Sequence, residues 1–307
     1  MAFTAKDVAA LRAKTGAGMM DCKNALAETD GDVEKAIDVL REKGLSKQAK
    51  KADRIAAEGV VLTYTDDNGV TVIVEVNSET DFVAKNEKFK DLVLGVAKTV
   101  AEKNPATVEA LQEMTMVGRD ETVAAAFQEA VLSIGENMKI RRFDRVTVPA
   151  VTYIHGGGSV GVVVTFDAAP EAVATEAFQT MGKDVAMQVA AMSPQYLNAE
   201  AVPADVLAHE KGIMIAQLKE DPKMANKPEQ VLEKILVGKI KKYYEDVCLV
   251  DQTFVKDNNL DVKGYVASVA KTLGTEIKVT GFIRYARGEG LEKREENFAD
   301  EIAKMVQ

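Results

Sequence analysis

The stretch EVNSETDFVAK, Glu75 to Lys85, is where the fold of this chain is decided. Leading into it, Val72, Val74 and Val76 alternate only loosely with Thr71, Ile73 and Glu75, the pattern of a strand covered on both faces. Ser78, Thr80 and Asp81 then bring the short polar side chains that start helices, and Phe82 falls in the first turn. A large aromatic beside an acid at this junction has two readings. The ring joins the core through the stripe Phe82, Phe89, Val93, Val96 and Val100, or it projects toward another molecule. The stripe favours the core and Asp81 favours solvent, so pattern alone leaves both open.

Upstream, VVLTYT (60–65) and VTVIVEV (70–76) flank Asp66-Asp67-Asn68-Gly69, which predicts a hairpin with Asn-Gly supplying positive φ. Residues 104 to 135 read as mostly helical, and MKIRRFDRVTV reads as a further strand. A similar order then recurs. VPAVTYIH, a glycine turn and VGVVVTF predict a second hairpin, with a helix from Ala172 to Ala191 behind it.

The first 45 residues predict three short helices. The third carries Val33, Ala36, Ile37 and Leu40, with Asp32 as its N-cap and Gly44 as its stop. LSKQAKKADRIAAEG follows as a basic helical connector. Asp205 to Leu218 and Glu229 to Glu245 predict a pair of helices, strands resume at VCLVDQTFV and IKVTGFIRYARGEG, and Asn297 to Val306 reads as an amphipathic tail helix. The expected fold class is therefore α+β: an N-terminal three-helix bundle, a two-part core with antiparallel sheets, an inserted helical hairpin and a C-terminal helix. The expected domains are 1–55 (bundle and connector), 56–190 (core), 191–241 (helical hairpin), 242–285 (core continued) and 286–307 (C-terminal helical module).

Composition sets bounds on function. At 307 residues and 47% hydrophobic, the chain can bury a substantial core. A net charge of −9 argues against nonspecific nucleic-acid binding, whose footprint is basic. No apolar run approaches the roughly 18 to 20 residues that span a bilayer. The opening MAFTAKDVAALRAKTG carries Asp7 and has no signal-peptide apolar block, and Cys22 and Cys248 stand apart without metal or disulfide spacing. A cytoplasmic setting is expected, with neither membrane nor direct nucleic-acid contact.

The motifs that suggest chemistry are weak. Gly156 to Gly161 fits G-x-G-x-x-G, but a dinucleotide loop must run from strand into helix and VVVTF follows instead. A hairpin turn is expected there. No phosphate-binding G-x-x-x-x-G-K-[ST] loop exists. His155 and His209 are the two histidines; His209 falls in a charged helix, and His155 has no nucleophile with a supporting acid around it in sequence. Met19-Met20, after a glycine turn, offers adaptable apolar side chains to a partner or to the core. A non-enzyme without cofactor or metal is expected.

LRAKTGAGMMDCKNAL (11–26) and EVNSETDFVAKN (75–86) resemble the two signature segments of bacterial translation elongation factor Ts. SIGENMKIRR (133–142), YIHGGGSVGVVV (153–164) and VTGFIRYARGEGLEK (279–293) resemble further family segments, in order. The resemblance implies a guanine-nucleotide exchange factor that binds elongation factor Tu in its GDP-bound and nucleotide-free forms. It implies that Thr80, Asp81, Phe82 and Val83 enter the partner's GTPase domain and disturb its Mg²⁺ site. Further implied contacts are Arg12, Met19, Met20, Lys51, Ile134, Gly135 and His155, with Val255 in the Phe254-Val255-Lys256 stretch meeting a more distant partner domain. It also implies that the bundle is ubiquitin-associated-like and that the hairpin at 191–241 is a coiled-coil homodimerisation element. Residues 101–131 match no signature and receive no role.

Overall fold

Thr4 and Asp7 start the first helix by capping each other. The Thr4 amide and hydroxyl both donate to the Asp7 carboxylate at 2.8 Å, and the Asp7 amide donates back to the Thr4 hydroxyl at 3.4 Å. Helix α1 (Ala5–Thr15) ends at Gly16, which takes the left-handed conformation at φ 67°. Helices α2 (Met19–Glu28) and α3 (Val33–Lys51) follow, and Asp32 caps α3 through the Lys35 amide. Val8, Leu11, Cys22, Leu26, Ala36 and Leu40 close the core of this bundle. The computed structural model describes residues 3–51, 53–221 and 227–292.

Gly44 does not stop the third helix. α3 runs through it for 19 residues, absorbing part of the expected connector. A glycine inside a helix costs about 1 kcal/mol relative to alanine, which neighbouring turns can absorb. Here it also makes room: a Cβ at Gly44 would lie 2.9 Å from the Leu132 side chain.

Strands β1 (Glu58–Thr65) and β2 (Thr71–Ser78) pair antiparallel from Glu58↔Ser78 to Thr65↔Thr71. Their turn is not an Asn-Gly turn with two positive φ angles, since only Gly69 is left-handed, at φ 79°. Asp66 instead organises the loop, its carboxylate accepting from the Asn68 and Val70 amides at 2.9 and 2.8 Å. Beyond β2 come α4 (Asp81–Lys85), α5 (Glu87–Lys103), α6 (Val108–Glu113), α7 (Val123–Ile134) and β3 (Lys139–Val146). β3 pairs on the other side of β2, giving the order β1-β2-β3. Every residue of β2 is buried, as its loose alternation predicts.

The expected single stripe from Phe82 to Val100 is divided. Asn86 leaves helical geometry, ends α4 and caps α5 through the Lys88 amide. Phe89, Leu92, Val93, Val96 and Val100 pack on Val72, Val74 and Val76, with Leu111, Phe127 and Val131 closing the cluster. Each such side chain contributes about 1.5–3 kcal/mol by leaving water. Phe82 is not among them. Within 104–135, helix is confined to α6 and α7, between which a bridge joins Thr115 to Thr122.

The second sheet has the order β4-β5-β8, from β4 (Ala150–His155), β5 (Val160–Ala168) and β8 (Ile277–Ala286). Between β5 and β8 lie α8 (Pro170–Val173), α9 (Glu176–Met192), α10 (Ala204–Glu220), α11 (Glu229–Val247), β6 (Thr253–Phe254), β7 (Asp257–Asp261) and α12 (Val262–Leu273). The helix expected over 172–191 is broken at Thr175, whose hydroxyl caps α9 through the Phe178 amide. Phe166 and Phe178 meet edge to face at 5.1 Å between β5 and α9.

VCLVDQTFV is not the strand its apolar content suggests. α11 continues to Val247, past the expected hairpin boundary at 241, and a 3-10 turn at Leu249–Asp251 leaves only Thr253–Phe254 extended. The amides of Leu249 and Val250 donate to the carbonyls of Tyr196 and Leu197, so a loop supplies the partners that a strand would have sought.

The chain divides into two compact units. Residues within Met1–Val146, Gly156–Gly161 and Tyr285–Gln307 belong to one, and Thr147–His155 with Val162–Arg284 to the other. In each, a hairpin is followed by helices and its second strand later gains a third. The C-terminal helix expected over 297–306 lies outside the described residues.

Candidate functional site

The site is built on a helix of five residues, too short to hold its own shape. Thr80 begins it in extended geometry, its hydroxyl accepting from the Val83 amide at 3.4 Å. The turn before it is gripped from the end of α7. The Glu136 carboxylate accepts the amides of Glu79 and Thr80 at 3.1 and 3.0 Å and the Thr80 hydroxyl at 2.6 Å. Glu79 reciprocates, accepting the Asn137 amide at 2.6 Å, and faces Arg54 at 3.6 Å.

On this support the side chains diverge. Val83 and Ala84 are buried against the first core, whereas Phe82 is 80% exposed. Asp81 is also exposed and pairs with Lys85 one turn on, at 2.6 Å. That hydrogen bond holds the Asp81 carboxyl below its ordinary pKa. The ring therefore stands in water on a helix start that Glu136 holds from the end of α7. Of the TDFV segment, Asp81 and Phe82 are presented; Val83 is turned inward and anchors.

The remaining candidates of the first unit are placed as follows. Arg12 on α1 is exposed, as are Met19 and Met20 in the first turn of α2. Lys51, at the end of α3, donates through Nζ to the carbonyl of Gly135. Gly135 caps α7 at φ 90°, a conformation that favours glycine, and Ile134 packs partly against the core. Lys51, Gly135, Glu136 and the Thr80 turn thus form one hydrogen-bonded neighbourhood. Glu79, Lys85 and Glu136 escaped the sequence reading; the acid after the α7 capping glycine was a signal only in hindsight, because its partner lies 56 residues away.

In the second unit, His155 ends β4, exposed, with Nδ1 3.0 Å from the Tyr153 hydroxyl. Gly156 to Gly158 turn the chain directly into β5, all three at positive φ. A strand and not a helix follows, so this loop is a hairpin turn. Val255 is exposed at the β6–β7 turn, and its amide donates to the buried Gln188 side chain at 2.8 Å. Phe254 beneath it is buried and stacks on Tyr265 at 4.2 Å. His209 lies on α10.

Among the described residues, no group of three or more His, Cys, Asp or Glu side chains could hold a metal ion. No described helix is long and apolar enough to cross a membrane.

Fold and site together define an α+β protein that presents exposed apolar side chains from rigidly held turns. A family model described as Elongation factor TS matches residues 79–289. Elongation factor Ts of Trichlorobacter lovleyi is 49% identical, with 99% of this chain and 98% of the relative covered. That of Syntrophotalea carbinolica is 45% identical over the whole of both chains, and that of Clostridium perfringens 48% identical over 99% of each. The chain belongs to the elongation factor Ts family.

Proposed function

We propose that this protein is a guanine-nucleotide exchange factor for elongation factor Tu in translation elongation, acting from the cytoplasm without cofactor and without catalysing a covalent step. The observation that carries the reading is Phe82, exposed to 80% on a helix start fixed from two sides. Family membership supplies the partner.

Asp81 and Phe82 enter the partner's GTPase domain and repack the neighbours of its magnesium ion. That ion bridges the nucleotide phosphates and the GTPase loop, so disturbing its supports weakens GDP binding without making a bond. Close-packed interiors respond to an inserted ring by switching arrangement. Thr80 and Val83 hold the wedge in place. Arg12, Met19, Met20, Lys51, Ile134 and Gly135 form the rest of the first unit's contact surface, and His155 and Val255 contribute from the second. Because coupling between ligands is reciprocal, nucleotide-free elongation factor Tu is bound more tightly than the GDP-bound form.

The α10–α11 hairpin pairs with a second copy. Ile213, Ile215, Val231 and Val237 are all exposed on it, with Val237 at 66%, which supports that role.

Release of labelled GDP from purified elongation factor Tu tests the main reading. Substoichiometric amounts of this protein should accelerate release over many turnovers, and an unchanged release rate would remove the proposal.

A further inference from the structure

Exposure alone does not explain how Phe82 is aimed. Its ring has almost no packing of its own, and α4 cannot define its own direction. Val83 and Ala84 fix the underside of the helix, and the Ser78 hydroxyl donates to the Thr80 carbonyl at 3.0 Å, both from within the segment itself. Glu136 adds the hold from outside it. One carboxylate takes two consecutive backbone amides and the capping hydroxyl, from a segment 56 residues away in sequence. At 3.1, 3.0 and 2.6 Å all three lie within hydrogen-bond range, so one side chain of the right reach fixes two backbone groups and the cap together. Glu136 is itself held, because Gly135 reverses the chain at the end of α7 and Lys51 donates to the Gly135 carbonyl.

We infer that Glu136 is a positioning residue for nucleotide release: it touches neither nucleotide nor partner pocket, and acts by holding the Thr80 turn so that Phe82 arrives in one orientation. This rests on the exchange reading above. Pre-ordering a contact loop removes a cost that binding would otherwise carry, and small displacements at a reacting site are expensive.

The test uses the full chain, elongation factor Tu loaded with labelled GDP, and the variants Glu136→Ala, Glu136→Asp, Glu136→Gln and Phe82→Ala, with the Glu136→Ala/Phe82→Ala double. Glu136→Ala should lower the maximal release rate by roughly tenfold to a hundredfold, with half-saturation moving less than about threefold, because the other contacts persist. Glu136→Asp keeps the charge but is one methylene short of its partners, and should lose most of the rate. Glu136→Gln loses the charge but keeps the reach, its carbonyl accepting both amides while its NH₂ donates to Thr80 Oγ1, and should restore most of the rate. In the Phe82→Ala background, Glu136→Ala should add less than about twofold. Hydrogen exchange in the free protein should rise at the Glu79 and Thr80 amides in Glu136→Ala and Glu136→Asp.

The opposite order, with Asp active and Gln inactive, would mean that Glu136 acts through its charge and overturns the positioning role. Equal losses from Glu136→Ala with and without Phe82 overturn it as well. A wild-type protein that leaves GDP release unchanged sinks the exchange reading itself, whereas an active wild type with a fully active Glu136→Ala sinks only the positioning role.

Discussion

Phe82 and Val83 are adjacent in one turn of helix and face opposite ways, the first 80% and the second 7% exposed. Their truncations should therefore separate function from stability. Phe82→Ala removes a ring that packs on little, so the folding free energy should change by no more than about 0.5 kcal/mol while GDP release slows strongly. Val83→Ala removes two buried methyl groups from the anchor of α4 and should cost about 2 kcal/mol of folding stability, a loss that Phe82→Ala should not show. Thermal unfolding and exchange kinetics on both proteins check this. A large fall in melting temperature for Phe82→Ala would return the ring to the core.

Asp81 stands beside Phe82 in the same exposed turn, with Lys85 as its partner at 2.6 Å. If both side chains act on one site of elongation factor Tu, Asp81→Ala shares the functional loss and the double variant loses less than the sum of the singles. Strict additivity across the cycle would assign them separate sites.

Much of the fold was legible because local chemistry and tertiary packing agreed. The two hairpins, the fully covered β2 and the Asp32 cap needed only short-range signals. Two failures trace to information carried by distant residues. Gly44 reads as a stop until Leu132 is seen against it, and VCLVDQTFV reads as a strand until Tyr196 and Leu197 take up its amides. Phe82 could not be assigned from periodicity, because a cap at Asn86 takes it off the α5 stripe. Family signatures name candidate residues, but the groups that hold two of them, Glu136 for Thr80 and Gln188 for Val255, are set by contacts 56 and 67 residues apart.

The hairpin of α10 and α11 gives a prediction about assembly. Val237 is 66% exposed, and Val237→Glu should weaken self-association while leaving the monomer's stability within about 0.5 kcal/mol of wild type. Light scattering over a concentration series reads the outcome. A wild-type protein that stays monomeric at micromolar concentration removes the homodimer.

Two helical glycines should respond to alanine with opposite signs. At Gly212 in α10 an added Cβ meets nothing within 4 Å, so Gly212→Ala should stabilise by up to about 1 kcal/mol through helix propensity. At Gly182 in α9 the Cβ would lie 2.4 Å from Val151 Cγ2 and 2.7 Å from its Cβ. Val151 is β-branched and buried on the facing strand, so it cannot rotate away freely. Overpacking of this kind costs about 1–3 kcal/mol, which exceeds the propensity gain. Urea unfolding should place Gly182→Ala below wild type and Gly212→Ala above it, and the reverse order would refute the packing argument.

Glu75 is the most demanding residue of the first unit, a carboxylate with no solvent exposure in the middle of β2. Arg142 Nε reaches it at 2.7 Å, Arg141 Nη1 at 2.9 Å, the Gly288 amide at 2.8 Å and Asn77 Nδ2 at 3.1 Å. Burial pushes its pKa up, but the Gly288 amide, the two guanidinium groups and Asn77 outweigh burial, and the carboxyl titrates below its ordinary value. A carboxylate whose folded pKa is depressed stabilises the protein above its unfolded pKa of about 4.3, and that contribution is lost as pH falls through the folded value. Stability of the wild type should therefore decline from about pH 5 downward. Glu75→Gln should be destabilised at neutral pH by about 3 kcal/mol, the lower end for a broken buried pair because both arginines retain some exposure to water. Its decline between about pH 5 and pH 3 should be shallower than that of the wild type, since one titrating group has gone. Urea midpoints measured across that range decide the matter: parallel curves for the two proteins would mean that Glu75 is not the group whose protonation weakens the fold.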